Sequence, residues 1–102
     1  MTEERRKDKR VSANLQAKWD GMSGAYEARL DDISLSGCFI NTAGRVDVND
    51  IVSLEIKLPS GEWFSLRGEV RSYQPGIGFG MVFTFLTEDE ELVVKELIES
   101  HS

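Results

Sequence analysis

The residues of this 102-residue sequence best suited to chemistry are two arginines four positions apart, Arg6 and Arg10, and the segment Asp32-Ile33-Ser34-Leu35-Ser36-Gly37. A guanidinium is a planar fork that donates two parallel hydrogen bonds, which suits a phosphate or the O6/N7 edge of guanine. A carboxylate and a hydroxyl can receive the remaining N–H groups of a guanine. The two features together therefore suit an anionic guanine nucleotide. Chance alone would place R-x-x-x-R in about a quarter of chains this long, and [D/N]-x-S-x-x-G in roughly one in twenty. Both in this order amount to about a one-in-a-hundred event, so the combination carries the signal.

These residues need a scaffold, and the length allows one domain with a modest core. Charged residues make up 29% and hydrophobic ones 40%, as in ordinary soluble chains. No apolar run approaches a membrane span, and the N-terminal residues lead into charge instead of a signal-peptide core. The single cysteine, Cys38, has no internal disulfide partner; these features point to a reducing cytoplasm. Net charge is −6, but residues 1–10 carry +2 and residues 11–102 carry −8. An acidic body excludes a nucleic-acid polymer as the main partner, because that would require a broad basic face. The basic arm, residues 1–10, reads as flexible in isolation and suited to a compact anion.

From residue 11 the chain alternates. Val11, Ala13, Leu15, Ala17 and Trp19 share a strand face, and Tyr26, Ala28 and Leu30 share the next. A turn at residues 34–37 leads to a short strand over 38–41, and Val52, Leu54, Ile56 and Leu58 mark another. Residues 63–73 form a long strand with Phe64, Leu66 and Val70 inward, Arg67, Glu69 and Arg71 outward, and Gly68 at a bulge or close approach. The same alternation carries Tyr73 outward. Ile77, Phe79, Met81, Phe83 and Phe85 alternate without a break. Thr87 and Glu90 form a capping box for a helix over 87–99, with Leu92, Val93, Leu97 and Ile98 as its apolar face. The fold class expected is all-β with a terminal helix: a six-stranded antiparallel barrel spanning 11–102.

Arg6-x-x-x-Arg10 before the first strand, Asp32-x-Ser34-x-x-Gly37 after the second, and the final strand Gly76-Ile77-Gly78-Phe79-Gly80-Met81-Val82-Phe83 ahead of a helix resemble the PilZ domain family. The resemblance covers residues 5–98, and both motifs follow the family pattern. It implies a PilZ-type barrel and a bacterial receptor for cyclic di-GMP, with no catalytic activity and no cofactor beyond that ligand. It assigns Arg6 and Arg10 to the phosphates and a guanine, Asp32 and Ser34 to a guanine edge or ribose, and Gly37 to a sharp backbone turn. The turn reading places Gly37 at positive φ. The family also implies a role for the residue before R-x-x-x-R in stoichiometry. Here Arg5 makes a third guanidinium, suited to two stacked cyclic di-GMP molecules. Arg71, Tyr73 and Gly78 are further candidates for lining the ligand.

With no output domain in this sequence, such a receptor would act on an unidentified protein partner through a changed surface, as a monomer or weak homodimer. The alternative is a ligand-independent interaction module of the pilus or motility assembly type, whose mark would be missing motif residues. An RNA-binding barrel would want exposed aromatics on a basic sheet. Asp31 and Asp32 stand without a histidine or further carboxylate at ligand spacing, so no metal is expected. The three glycines at 76, 78 and 80 lack the strand–loop–helix context of a phosphate loop. His101, the only histidine, leaves no triad to build. Cys38 reads as a small core residue.

Overall fold

Alternation with period two lays apolar residues on one face of each strand, and closing the sheet on that face buries them. The computed structural model describes residues 9–102. Strands β1 (Val11–Gly21), β2 (Gly24–Ile33), β3 (Gly37–Asn41), β4 (Ile51–Lys57), β5 (Trp63–Gln74) and β6 (Gly78–Phe83) pair antiparallel throughout. They close in the order β1-β2-β3-β6-β5-β4. Helix α1 (Glu88–Ser100) follows the last strand. The fold is the barrel expected, and β4 shows its logic most simply: Val52, Leu54 and Ile56 are buried while Ser53, Glu55 and Lys57 are exposed.

Trp19 centres the core. Its ring stacks on Tyr26 at 4.7 Å and meets Phe79 edge-on at 5.1 Å. A buried indole N–H needs an acceptor; Nε1 donates to the Thr42 hydroxyl at 3.0 Å, in the loop after β3. Gly44 in that loop leaves room for the ring, since a Cβ there would stand 2.9 Å from Tyr26 Cδ2 and closer still to Trp19.

Three expectations need correction. The unbroken alternation through residues 77–85 predicts one strand, but β6 stops at Phe83. Ile77 lies in the turn closed by its N–H to the Gln74 carbonyl, and Phe85 takes φ 54° with its ring 87% exposed. A strand cannot continue through that left-handed conformation. Helix α1 buries Val94 and Leu97, with Ile98 packed beside them, and leaves Leu92 57% exposed. Leu97 and Ile98 thus hold their expected places, while Val94 takes the place expected for Leu92 in a stripe along residues 94, 97 and 98, neighbours on one helical face. Thr87 and Glu90 do form the capping box, with reciprocal bonds of 3.1 and 3.0 Å. Finally, the outward placing of Tyr73 fails, although Gly68 before it is a close approach, one of the two readings expected for that glycine: a Cβ there would strike the Met81 side chain and the Val82 carbonyl. The bulge of β5 comes later, between Val70 and Ser72. It reverses the phase of the strand, so Tyr73 packs against the core where simple alternation had placed it outward.

Candidate functional site

Arg10 stands immediately before β1, whose first residue Val11 is buried and paired with Ile33. That anchorage brings the Arg10 side chain to β2, where Nη1 donates to Asp32 Oδ1 at 2.6 Å. The pair stays in contact with solvent, its side chains 49% and 31% exposed. Asp32 faces outward because of a second bulge. Leu30 pairs with Ile40 but Asp32 pairs with Phe39, so Asp31 is an extra residue and both carboxylates escape the core between buried Leu30 and Ile33. Asp31 accepts a hydrogen bond from Asn41 Nδ2 at 3.4 Å.

The turn after β2 is built by Ser34 and not by Asp32. Ser34 is fully buried, and its Oγ accepts from the backbone N–H groups of Ser36 and Gly37, each at 3.3 Å. Its own N–H donates to the Gly37 carbonyl at 2.8 Å. A serine turn of this kind leaves the carboxylate free for Arg10. It also engages the hydroxyl expected to meet a guanine or ribose. Gly37 is not at positive φ, contrary to the turn reading. Its need for glycine is a close approach: a Cβ there would overlap the Met81 carbonyl of β6. Gly37 therefore allows β3 and β6 to lie together beneath the site, with the Phe83 N–H donating to the Ser36 carbonyl at 2.8 Å.

Arg10 and Asp32 line one edge of an open concavity of about 350 Å³ over β2, β3, β6 and β5. Phe39, Arg71, Ser72, Gly80 and half-buried Val82 line the rest of its outer surface. Arg71, expected as an additional site residue, is thus brought to Arg10 and Asp32. Tyr73 and Gly78 are not: Tyr73 turns to the core, and Gly78 lets β6 approach the Ile40 carbonyl. Gly80, two residues on, lines the concavity instead. Neither Phe39 nor Gly80 was expected as a site residue, although Phe39 sits between inward Cys38 and Ile40 and alternation alone places it outward. Arg5 and Arg6 lie outside the described residues. A larger concavity of about 550 Å³ spans β1, β2, β4 and β5, but its charges are mixed, with Lys18 and Arg67 among Asp20, Glu27 and Glu55, and it holds none of the expected site residues.

Cys38 lies under the concavity. Burial pushes its thiol far above the ordinary range, the Asp32 carboxylate adds to the effect and the Arg10 guanidinium opposes it. The thiol therefore stays protonated and unreactive. Iodoacetamide at neutral pH should leave the native chain unmodified and label it once unfolded, as intact mass would report; rapid native labelling would contradict this placement. Among the described residues no group of three or more histidine, cysteine or acidic side chains could hold a metal ion. No helix among them is long and apolar enough to cross a membrane.

A family model for the PilZ domain matches residues 4–100. The chain belongs to the PilZ domain family. Solved PilZ structures share its barrel. The PilZ domain of CeSA from a cellulose-synthesizing bacterium is 18% identical with a TM-score of 0.72, the match covering 90% of this chain and 96% of that one. The PilZ domain of YcgR from Escherichia coli, solved with c-di-GMP, is 18% identical with a TM-score of 0.76, covering 95% and 91%. A longer YcgR structure in complex with c-di-GMP is 17% identical with a TM-score of 0.77, covering 94% of this chain but only 45% of that one. This PilZ chain thus spans less than half of the longer protein. Among curated proteins, none matches the sequence significantly.

Proposed function

We propose that this PilZ domain is a receptor for cyclic di-GMP and not an enzyme. The observation that carries the reading is the meeting of Arg10 and Asp32, 22 residues apart, at the edge of one concavity. It is supported by the c-di-GMP-bound YcgR structures that share the fold. Arg10, joined by Arg6 from the 1–10 arm, takes the phosphates, where a guanidinium fork makes charge-assisted hydrogen bonds. Asp32 accepts from the N–H edge of a guanine, while Ser34 and Gly37 hold the turn that presents it. The arm closes on the nucleotide and, with the barrel of residues 11–102, gives a cytoplasmic protein partner an altered surface to read.

Calorimetric titration tests this directly. Saturable binding of cyclic di-GMP is expected, with GTP and cyclic di-AMP far weaker, because adenine lacks the O6 acceptor. Absence of binding, or equal affinity for cyclic di-AMP, would overturn the proposal.

Stoichiometry gives a separate test. Arg5 adds a guanidinium that suits a second, stacked nucleotide. Saturation near two molecules per chain is expected, dropping toward one in Arg5→Leu. A wild-type ratio of one would leave Arg5 without this role.

A further inference from the structure

The outer face of the sheet carries a continuous transverse row at the concavity. Ser12 pairs with Asp32, Asp32 with Phe39, Phe39 with Gly80, and Gly80 with Ser72, so these five residues follow one another across β1, β2, β3, β6 and β5. The residues flanking the row in β2, β3 and β6 (Ile33, Cys38, Ile40, Phe79 and Met81) are buried, which confirms that the row itself faces out. At the spacing of paired strands, Asp32 and Ser72 stand about 14 Å apart along the surface.

The row has two charged ends and an apolar, open middle. At the β2 end is the Arg10–Asp32 pair. At the β5 end is Arg71. Val70 pairs with Met81 and Ser72 with Gly80, so Arg71 is the extra residue of the bulge. A bulge lets two successive residues share a face and re-aims their side chains; Arg71 and Ser72 are both exposed and both line the concavity. Among the described residues the Arg71 guanidinium makes no hydrogen bond or ion pair, whereas that of Arg10 is engaged. Between the ends, Phe39 offers an aromatic ring and Gly80 offers no side chain. A Cβ at Gly80 would lie 2.8 Å from Ser72 Oγ and 3.8 Å from Phe39 Cδ1, in the gap between them. A flat ring system fits over such a floor, with its edge toward the guanidinium at the far end.

Resting on the receptor reading above, we propose that Arg71 is a specificity-determining residue that reads the O6/N7 edge of the second guanine of cyclic di-GMP, the base lying over Phe39 and Gly80. The first guanine and the phosphates belong to Asp32 and the arm arginines. The ligand is thereby recognised at both ends, and a mononucleotide satisfies only one. The choice of guanine over phosphate follows from the floor, since an aromatic ring beside a glycine accommodates a base, and a fork beyond it matches two acceptors on one edge.

The test compares cyclic di-GMP with the hybrid cyclic GMP–AMP, which keeps one guanine and replaces the other by adenine. A good bidentate contact to guanine is worth tenfold or more in discrimination. Wild type should prefer cyclic di-GMP by at least tenfold. Arg71→Ala should bind cyclic di-GMP only as well as the hybrid, with an unchanged thermal midpoint because the side chain is exposed. Arg71→Lys keeps the charge without the fork, and should also fail to discriminate. The inference is overturned if Arg71→Ala binds cyclic di-GMP as wild type does, if it loses equal affinity for both ligands, or if Arg71→Lys restores full discrimination. Failure of the receptor reading looks different: wild type itself would not bind cyclic di-GMP, and the inference would fall with it.

Discussion

Gly37→Ala should lower the thermal unfolding midpoint by about 15 °C, as far-ultraviolet circular dichroism would record. The added methyl meets the Met81 carbonyl of the adjoining strand, a backbone atom that no rotamer change can move aside. Relief requires β3 and β6 to separate where Gly37 pairs with Val82 and Ser36 accepts from Phe83. Overpacking against fixed structure costs up to about 3 kcal/mol, and a domain of this size loses 4–8 °C per kcal/mol, which sets the magnitude. Gly61→Ala is the matched control. Gly61 is at φ 96° with open space around it, so only backbone strain opposes the methyl and the cost is about 1 kcal/mol. Equal midpoints for the two variants would show that β3 and β6 part freely, and would remove the reason for glycine at 37.

Arg10→Ala should weaken cyclic di-GMP by about 10- to 100-fold, the effect of losing a hydrogen bond to a charged group, about 1.5–3 kcal/mol. Stability should hardly change. The Arg10–Asp32 pair is solvent-exposed at both side chains, and exposed pairs are worth less than about 1 kcal/mol. Calorimetry and thermal unfolding on the same preparation separate the two effects. Unchanged affinity together with an unchanged midpoint would reduce the basic segment to solvated charge.

The barrel was legible because each strand repeats every second residue and the helix announces itself with Thr87 and Glu90. Its irregular points were not. A bulge adds a residue without altering residue type, so nothing in Val70-Arg71-Ser72-Tyr73 declares that Tyr73 turns inward while Ser72 turns out. The site divides in the same way. Arg10 and Asp32 could be matched by chemistry, and the structure brings them to 2.6 Å. Ser34 could not be placed by chemistry alone, because a hydroxyl that caps its own turn and one that meets a ligand look alike in sequence. Gly37 was marked as special for the wrong cause. Positive φ and close packing both demand glycine, and only the neighbouring strand distinguishes them. Phe39 and Gly80 enter the proposed site through a row that exists only once five strands are in register.

Closure of the barrel has a consequence for how any message leaves it. In the ring β1-β2-β3-β6-β5-β4 every strand has a neighbour on both sides, so no open edge remains along the paired lengths. Along those lengths a docking protein cannot append a strand of its own, the route by which many sheets capture extended peptides, because the peptide groups that would receive it are already paired. Over the doubly paired flank of β3 and β6, recognition falls to side chains standing on the cylinder and to whatever lies across them. A small molecule bridging one flank becomes part of the contact surface itself, and the wall beneath it has no need to rearrange.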